Sequence, residues 1–481
     1  MKKLAFNVYH VMAFVTGMGL MMFELVAARI LAPTIGSSTY VWTSVIGVII
    51  AAMSFGYWAG GKVADVRKRK FDLAWLSMMA AGAITITFVF YEPLLRWIAD
   101  GGYDLRLQGV VASLILFAPA SFVIGMISPY LAKLNISSLK TSAQAVASLS
   151  SCNAIGSIVG TLLTGFVLFG LIGSDQIIIV VIGMFVTVHW LVEPKRVPLK
   201  RVVVTIAISL IVVLTMLKAD EVIRIDTATA HYQVIDMLYE GREITALVTA
   251  SGALQSGIHK DGGGDLVFWY TRELTEIVEK AGKINRILIL GGGAMTLPEY
   301  LAHRYPELQV DVVDIDPELP KIAKKYFKYD DPSNVNFIAN DARAYVGQTE
   351  EKYDLILVDV YNEANIPWSF TTREYVQSVR KVLAEDGAVV INAIANVDGP
   401  CGSLLEVLDA AYNEQFGKGV FRRRPTAHDD YTRANIVLVY GWQGAQLAGY
   451  DNLDLGTEEH VFTDNFAPVE PLQLRCNSYK S

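Results

Sequence analysis

The chain has 481 residues, 52% of them hydrophobic, and a mean hydropathy of +0.36, which is too apolar for an ordinary water-soluble protein of this length. Residues 1–217 carry a net charge of +8, and residues 218–481 carry −15. Because nucleic-acid binding depends on Lys and Arg meeting phosphates, the acidic C-terminal part argues against a nucleic-acid partner.

Seven apolar stretches in the first part of the chain are each long enough to cross a bilayer as a helix, which takes about 20 residues. They lie near residues 9–31, 39–60, 72–91, 108–132, 144–172, 175–192 and 201–217. We therefore expect residues 1–217 to form a multi-span α-helical bundle of an integral inner-membrane protein, with the lipid bilayer as a partner. Since further spans follow the first stretch, it is not expected to be a cleaved signal peptide.

The first stretch contains two ionisable residues, Glu24 and Arg29. Charge inside a membrane is costly and is usually paired or functional. Because five residues separate the two, they point to different faces of a helix, and we expect each to meet another helix. Two roles stay open for them, structural pairing and a transport or proton pathway.

Basic residues between the stretches predict the orientation, because cytoplasmic loops are enriched in Lys and Arg. If the stretches cross the membrane in alternating directions, the basic residues at 2–3, 62–70, 133–140 and 195–201 all lie on one side of it. The segments on the other side contain Arg96 and Arg106. The N-terminus is therefore expected in the cytoplasm. Seven spans then place the C-terminal part outside, whereas an eighth crossing hidden in a long stretch such as 144–172 would place it inside.

The C-terminal part is predicted to hold a β-rich subdomain over residues 218–282 and an α/β domain over residues 283–481. In the α/β domain, strands are expected near 286–290, 309–315, 335–339, 354–360 and 387–393, and helices near 295–304, 317–328 and 371–384. Short apolar strands separated by amphipathic helices predict a Rossmann-like, methyltransferase-type fold with a mostly parallel sheet. Ligands of such sheets bind at the carboxyl ends of the strands.

Glycines and acids fall at those strand ends. Gly291–Gly293 follow the first strand and open a helix, so the backbone can approach a ligand closely. Asp314 ends the second strand, where an acid accepts hydrogen bonds from ribose hydroxyls. Asp341 follows the third strand and Asp359 ends the fourth. Thr296 stands where a dinucleotide site has its third glycine, so the pattern favours an S-adenosylmethionine-type ligand over NAD.

The three cysteines, Cys152, Cys401 and Cys476, show no spacing that predicts a metal site. Cys401 and Cys476 could pair only in an oxidising compartment, and two unpaired thiols are the simpler interpretation.

With these motifs the chain resembles the membrane-fused branch of the spermidine synthase family, the polyamine aminopropyltransferases. The resemblance covers both parts of the chain. In the C-terminal part it rests on Tyr232-Gln233, Leu254-Gln255-Ser256-Gly257, Gly291-Gly292-Gly293, Val313-Asp314-Ile315-Asp316-Pro317, Asn340-Asp341-Ala342-Arg343 and Leu357-Val358-Asp359.

The resemblance implies transfer of an aminopropyl group from decarboxylated S-adenosylmethionine to putrescine or a related small amine, with release of methylthioadenosine and without a metal. It implies that Asp359 is the catalytic base. It assigns the cofactor contacts to Gln233, Gln255, Gly291, Gly292, Gly293, Asp314, Asn340, Asp341 and Ala342. It assigns the amine side to Tyr270, Tyr361, Asn362 and Glu363, and it makes a homodimer through the synthase-like domain an expected assembly.

The chain departs from the family pattern on the amine side. Ala294 replaces the Asp that follows the glycines, Thr271-Arg272 replaces a His-Glu pair, and Asn362 replaces a second Asp near the base. The donor is therefore better defined than the acceptor. Replacement charge is a conjecture for three acids, Asp261, Asp265 and Glu363.

Two alternatives stay open. The first is a transferase that uses intact S-adenosylmethionine or an unusual acceptor, for which Arg343 is the candidate partner of the donor carboxylate. The second is a polyamine transporter or sensor whose synthase-like domain is regulatory. Since adenosyl sulfonium donors are made in the cytoplasm, their supply favours a cytoplasmic domain, against the loop charges.

Overall fold

The computed structural model describes residues 7–36, 38–101, 104–136, 138–192, 198–217, 223–249, 253–281, 284–361, 366–397, 403–425, 434–441, 449–453, 455 and 461–472. The chain divides into two compact units. The helical unit comprises residues 1–221 with 225–228, and the C-terminal unit comprises residues 222–224 with 229–481.

The helical unit is built from long apolar helices. They are α1 (Val8–Ile35), α2 (Thr39–Val66), α3 (Lys70–Asp100), α4 (Leu105–Leu116), α5 (Ala118–Asn135), α6 (Ser142–Leu163), α7 (Phe169–Leu171), α8 (Ser174–Val192) and α9 (Leu199–Met216). A π-helix, Thr164–Leu168, joins α6 to α7. By length and composition, six helical runs could cross a membrane, and α4 with α5, bent by 53°, would make a seventh. Residues 142–171 form one run that is long enough for a single crossing, which does not favour an eighth crossing within 144–172.

The bent pair α4–α5 runs the full length of α2. At one end, the Arg106 guanidinium lies 4.6 Å from the ring centre of Tyr40, in the first turn of α2. At the other end, Lys133 Nζ lies 2.5 Å from Asp65 Oδ1, one residue before α2 ends. Between these two ends, Gly56 of α2 lets the helices approach closely, because a Cβ on Gly56 would lie 2.2 Å from the Phe122 carbonyl oxygen of α5. The pair therefore traverses the unit despite its bend.

Arg29 meets backbone carbonyls and an aromatic ring. Its Nη2 donates to the carbonyl oxygens of Thr227 at 2.7 Å and Ala228 at 2.9 Å. Its guanidinium lies 4.1 Å from the ring centre of Phe169 in α7. Because Arg29 is near the C-terminal end of α1, residues 227–228 lie at the end of the helical unit opposite to the N-terminus.

The described strands belong to the C-terminal unit, except for the second half of β1. They are β1 (Ile223–Asp226), β2 (His231–Tyr239), β3 (Arg242–Thr249), β4 (Leu254–His259), β5 (Arg286–Leu290), β6 (Gln309–Asp314), β7 (Val335–Ala339), β8 (Tyr353–Val358), β9 (Leu383–Ala395), β10 (Val420–Arg423), β11 (Ala434–Tyr440) and β12 (Asp451–Asn452). The helices are α10 (Trp269–Lys280), α11 (Thr296–Arg304), α12 (Leu319–Tyr326), α13 (Ala342–Gln348), α14 (Arg373–Val382) and α15 (Ser403–Phe416).

Two sheets result. The smaller has the order β1-β2-β3-β4, and the larger has the order β12-β10-β11-β9-β8-β5-β6-β7. Strands β5 to β9 pair in parallel, whereas β11 joins β9 antiparallel. This is the methyltransferase-like Rossmann sheet that the strand–helix alternation predicts. The antiparallel strands β10 to β12 and the helices α13 and α15 are absent from the sequence prediction.

The apolar strand sequences follow from burial on both faces of the sheet. In β5, Ile287 and Ile289 pack into one apolar core, whereas Leu288 and Leu290 pack into the core on the opposite face. All four side chains are at most 1% exposed. Because successive side chains of a strand alternate between faces, a sheet covered on both sides needs such an uninterrupted apolar run.

Candidate active site

The carboxyl ends of β5, β6 and β8 meet at the point where the strand order of the large sheet reverses direction. From β5 the chain continues to β6 and β7 on one side, and β8 and β9 lie on the other. Such a switch point opens a crevice beyond the strand ends, where ligands of α/β sheets bind. The Asp359 N–H donates to the Leu290 carbonyl at 2.9 Å, which draws the ends of β5 and β8 together.

The glycine loop needs residues without side chains at its two ends. Gly291 has φ 101°, and a Cβ there would lie 2.2 Å from the Asp359 carbonyl oxygen. Gly293 has φ 48°, and a Cβ there would lie 2.5 Å from Ser256 Oγ. The same hydroxyl accepts from the Ala294 N–H at 2.9 Å. The loop is therefore fixed between β8 and β4.

Asp314 is held by backbone N–H groups at the end of β6. Its two oxygens accept from Gly292 N at 2.8 Å and Asp316 N at 3.0 Å. Burial raises the pKa of Asp314, and these backbone hydrogen bonds oppose the rise. Each oxygen retains a lone pair, so the carboxylate can accept from hydroxyl groups of a ligand.

The small sheet brings Tyr232, Gln233 and Gln255 to this part of the unit. Tyr232 hydrogen-bonds to the nearly inaccessible Asp316, and burial, followed by the charges of Asp316 and Asp314, raises the pKa of its phenol. Gln233 is the next residue of β2, and Gln255 lies in β4 beside Ser256. Gln255 lies beside the glycine loop, since a Cβ on Gly293 would be 3.6 Å from the Gln255 carbonyl oxygen, whereas Gln233 is half-buried in β2 opposite Val248.

The residues after β7 support the neighbouring acid. Asn340 N donates to the Asp314 carbonyl at 3.0 Å. Asp341 caps α13, with its Oδ1 accepting from Ala344 N at 2.8 Å. Ala342 is buried in the first turn of that helix. Asp341 therefore has one oxygen committed to a helix cap and one that can face a ligand.

Asp359 combines burial with two hydrogen-bond donors. Asn392 Nδ2 donates to its Oδ1 at 2.8 Å, and the Tyr270 phenol also hydrogen-bonds to the carboxylate. Burial raises the pKa of Asp359 to about 6, although both hydrogen bonds favour the ionised form. Burial, with the charge of Asp359, also raises the pKa of Tyr270 well above its ordinary value. A carboxylate with a pKa near neutrality suits proton transfer.

Tyr361 and two amide side chains complete the surroundings of Asp359. The Tyr361 hydroxyl donates to the Asn392 carbonyl at 2.6 Å and accepts from Ile394 N at 2.8 Å, so it binds β9. Asn435 Nδ2 donates to Asn392 Oδ1 at 3.0 Å. The sequence analysis missed both asparagines, although a polar residue after the apolar run of β9 is a usable signal.

The candidate acids for replacement charge have other surroundings. Asp261 pairs with Arg242 at 2.8 Å on an exposed turn, and Asp265 is exposed. Arg272 donates to the carbonyls of Leu266 and Val267, which fixes the chain before α10. Two further predicted residues, Asn362 and Glu363, lie outside the described residues.

Arg343, the candidate partner for the carboxylate of intact S-adenosylmethionine, is engaged elsewhere. Its Nη2 lies 2.6 Å from both carboxylate oxygens of Asp464. Its Nη1 donates to the Ser369 carbonyl and to Thr372 Oγ1. These contacts tie α13 to the segment before α14 and leave the guanidinium committed.

Comparison with known proteins gives matches in the C-terminal unit. Residues 267–398 match the family model of the spermine/spermidine synthase domain. A polyamine aminopropyltransferase of Vibrio vulnificus is 35% identical over 139 residues, covering 28% of this chain and 45% of that protein. A probable polyamine aminopropyl transferase of Bifidobacterium longum is 34% identical over 228 residues, covering 41% and 50%. A putrescine N-methyltransferase 2 of Nicotiana attenuata is 32% identical over 168 residues, covering 33% and 42%.

The chain spans half or less of the length of these relatives. The matched domain contains Gly291–Gly293, Asp314, Asp359 and Asn392 and lies wholly within the C-terminal unit.

The buried charge of Asp359 predicts a pH-dependent effect on stability. Since its pKa is raised to about 6 in the folded protein, folding is opposed increasingly as pH rises from about 4 to 6, and the full penalty remains above 6. Asp359→Asn should therefore stabilise the C-terminal unit at pH 8 by roughly 1–3 kcal/mol, or several degrees in Tm. Scanning calorimetry of the full chain in detergent measures this.

The gain should fade as pH falls to about 3, because Asp359, with an ordinary pKa of 3.8, is then mostly protonated in both the folded and the unfolded state. Asp386→Asn is a matched control, because it makes the same replacement at an exposed position of β9. An Asp359→Asn variant that is equally stable or less stable at pH 8 contradicts the raised pKa.

Proposed function

We propose that the chain is an aminopropyltransferase, because residues 267–398 match the family model of the spermine/spermidine synthase domain. It moves the aminopropyl group of decarboxylated S-adenosylmethionine to putrescine or a related small amine and releases methylthioadenosine. The observation that carries this proposal is Asp359, a partly buried carboxylate with a pKa near 6 at the strand-order switch point, directly beside the glycine loop.

The reaction requires a neutral amine nitrogen, although the pKa of a free alkylamine is about 10. That nitrogen attacks the aminopropyl carbon bonded to sulfur, the C–S bond breaks, and its electron pair stays on sulfur. The nitrogen must lose one proton, which Asp359 accepts. Because the sulfonium is already a good leaving group, the enzyme mainly aligns the amine with the reacting carbon.

The donor side is supported by several groups. Gly291–Gly293 let the backbone approach the ligand, and Asp314 offers a carboxylate for the ribose hydroxyls. Asp341 offers one oxygen at the end of β7, where an adenine amino group would donate. Gln233 and Gln255 contribute amide groups from the small sheet. A homodimer through this domain is part of the proposal.

The acceptor side carries fewer acidic groups than the family resemblance implies. Ala294 has no polar group, and Arg272 carries positive charge where the resemblance implies an acid. Tyr270, by its hydrogen bond to Asp359, is the residue best placed to meet the reacting amine. We therefore propose a small amine as the acceptor class, with putrescine as the first compound to test.

A second candidate is transfer of a methyl group from intact S-adenosylmethionine to the same kind of amine. The relative from Nicotiana attenuata, named a putrescine N-methyltransferase, favours it. Against it stands Arg343, which is committed to Asp464 and so does not offer its charge to the donor carboxylate. The two reactions leave different nucleoside products, methylthioadenosine and S-adenosylhomocysteine.

The helical unit is proposed to anchor the enzyme in a membrane. The six apolar runs and the bent pair α4–α5, which traverses the unit along α2, support seven crossings. The basic residues at 62–70, 133–140 and 195–201 support a cytoplasmic N-terminus. Seven crossings then place the C-terminal unit on the non-cytoplasmic side, so the donor and the amine would have to reach it there.

Asp359→Asn should reduce the rate of methylthioadenosine release roughly a hundredfold or more, the scale of losing a general base. In the unaltered protein, kcat/KM should fall below about pH 6 in inverse proportion to the proton concentration, because Asp359 becomes protonated. Asp386→Asn serves as the control and should keep both the rate and the profile. Full activity of Asp359→Asn would remove this residue from the mechanism.

The side of the membrane is tested by reporter fusions expressed in bacteria. Alkaline phosphatase fused to the C-terminus of the full chain should be active, and green fluorescent protein at the same position should be dark. Fusions after Arg69, in the basic loop between α2 and α3, should give the opposite pair of results. A fluorescent C-terminal fusion would place the domain in the cytoplasm and overturn the proposed topology.

A further inference from the structure

The amide of Asn392 faces Asp359 with a defined polarity. Asn392 is 3% exposed on β9, and its Nδ2 donates to Asp359 Oδ1 at 2.8 Å. An ionised carboxylate only accepts hydrogen bonds, so the amide must present its nitrogen there. The amide oxygen then points away and needs a donor of its own, since a buried polar group without a partner is costly.

Asn435 supplies that donor. Its Nδ2 donates to Asn392 Oδ1 at 3.0 Å from β11, which pairs antiparallel with β9. The two bonds form a chain in which each amide fixes the orientation of the next. The backbone at this point is also held, because Tyr361 bonds the Asn392 carbonyl and Ile394 N.

We propose that Asn435 is a positioning residue for the transfer reaction, acting through Asn392 to keep an amide N–H directed at Asp359. This inference rests on the proposed function of Asp359 as the base. Without Asn435, the Asn392 amide loses the contact that distinguishes its two ends. When it rotates by 180°, its oxygen faces the carboxylate, which then binds a proton more tightly.

Two variants of the full chain test the role. Asn435→Leu removes the hydrogen-bond donor to Asn392. We expect the acid limb of the pH profile, the range in which kcat/KM falls as pH decreases, to shift to higher pH by about one unit. Asn435→Asp is nearly isosteric but presents an acceptor to Asn392. Because it attracts the amide nitrogen away from Asp359 and adds negative charge, it should move the limb further. Donor affinity, measured by calorimetric titration, should change less than twofold in both.

Asn336→Leu is a matched control. Asn336 also donates its amide to a carboxylate of the same sheet, Asp311 at 2.9 Å, but near the opposite ends of the strands. It should lower Tm and leave the acid limb in place. If Asn435→Leu and Asn435→Asp likewise keep the acid limb, Asn435 is only structural and the inference fails.

A readout without catalysis separates this inference from the proposed function. The pH above which the stability gain of Asp359→Asn stops growing reports the proton affinity of Asp359 in the folded protein. That pH should be higher when the comparison is made in an Asn435→Leu background. If this pH rises in the Asn435→Leu background but no diamine yields methylthioadenosine, the role of Asn435 is supported and the proposed reaction is contradicted.

A second, independent observation concerns Glu24 in α1. Among the described side chains of the helical unit, the other helix acids have partners, whereas Glu24 has neither a hydrogen bond nor an ion pair. The partnered acids are Asp65 with Lys133, Asp72 with Tyr130, Glu92 with Tyr91, Asp175 with Tyr91, and Asp104 at the cap of α4. Glu24 lies near the middle of α1 and is partly buried.

Helices α1 and α6 run parallel in close contact. A Cβ on Gly156 would lie 2.0 Å from the Phe14 carbonyl oxygen, and one on Gly160 would lie 2.5 Å from that of Met18. From the first contact to the second, the residue number rises by four on both helices. The two helices therefore stay in register along this contact.

The same register places Glu24 and Thr164 at facing positions of the two helices. A Cβ on Gly17 would lie 2.9 Å from Ser157 Oγ, and seven residues further on each helix stand Glu24 and Thr164. Seven residues are two turns and return to the same face. Thr164 is fully buried, its hydroxyl has no hydrogen-bond partner among the described residues, and it begins the π-helix. Such interruptions of an α-helix often occur at functional sites.

We propose that Glu24 and Thr164 form a site for a monovalent cation, either a sodium-type ion or the ammonium group of an amine. A carboxylate and a hydroxyl supply the oxygen acceptors that both ligands need. Labelling of Glu24 by dicyclohexylcarbodiimide in the detergent-solubilised full chain, followed by peptide mass spectrometry, tests it. Sodium or putrescine should slow the labelling several-fold relative to choline, and the comparison identifies the ligand.

Thr164→Val keeps the shape of the side chain and should reduce that protection. Thr161→Val is the control, because Thr161 bonds the Ser157 carbonyl within its own helix. Equal labelling in sodium, putrescine and choline would overturn the cation site, whatever the transfer activity of the C-terminal unit.

Discussion

The backbone contact between the ends of β5 and β8 is the constraint on which the rest of the site depends. The Asp359 N–H bonds the Leu290 carbonyl, and the next residue, Gly291, has no room for a side chain beside the Asp359 carbonyl. The loop that would cradle the donor is thereby held against the residue that would take the proton. Both features exist because two apolar, doubly buried strands pair in parallel and end at one level.

The two acids of the site, Asp314 and Asp359, differ in the hydrogen-bond donors that surround them. Asp314 accepts from two backbone N–H groups, which favour its charged form against burial. Asp359 has two side-chain donors, Asn392 and Tyr270, and burial dominates, so its pKa lies near neutrality. One carboxylate is thus suited to accept hydrogen bonds from a ligand and the other to exchange a proton. The amide chain from Asn435 lets a side chain outside the site influence that difference.

The sequence predicted what depends on local patterns. The parallel strands, the glycine loop and the acids at strand ends follow from apolar runs punctuated by Gly and Asp. It did not predict β10 to β12, whose antiparallel pairing depends on distant partners. Asn435 has a role only because β11 lies beside β9. Arg343 was assigned by proximity to a motif, but Asp464, more than a hundred residues away in sequence, binds it.

Aminopropyl transfer by the C-terminal unit is best tested through the nucleoside product of the reaction. The full chain in detergent is incubated with putrescine and, separately, with decarboxylated and intact S-adenosylmethionine, and the products are separated by chromatography. We expect methylthioadenosine and an aminopropylated diamine from the decarboxylated donor alone. S-adenosylhomocysteine and a methylated diamine from the intact donor, or no product from either donor, would contradict it.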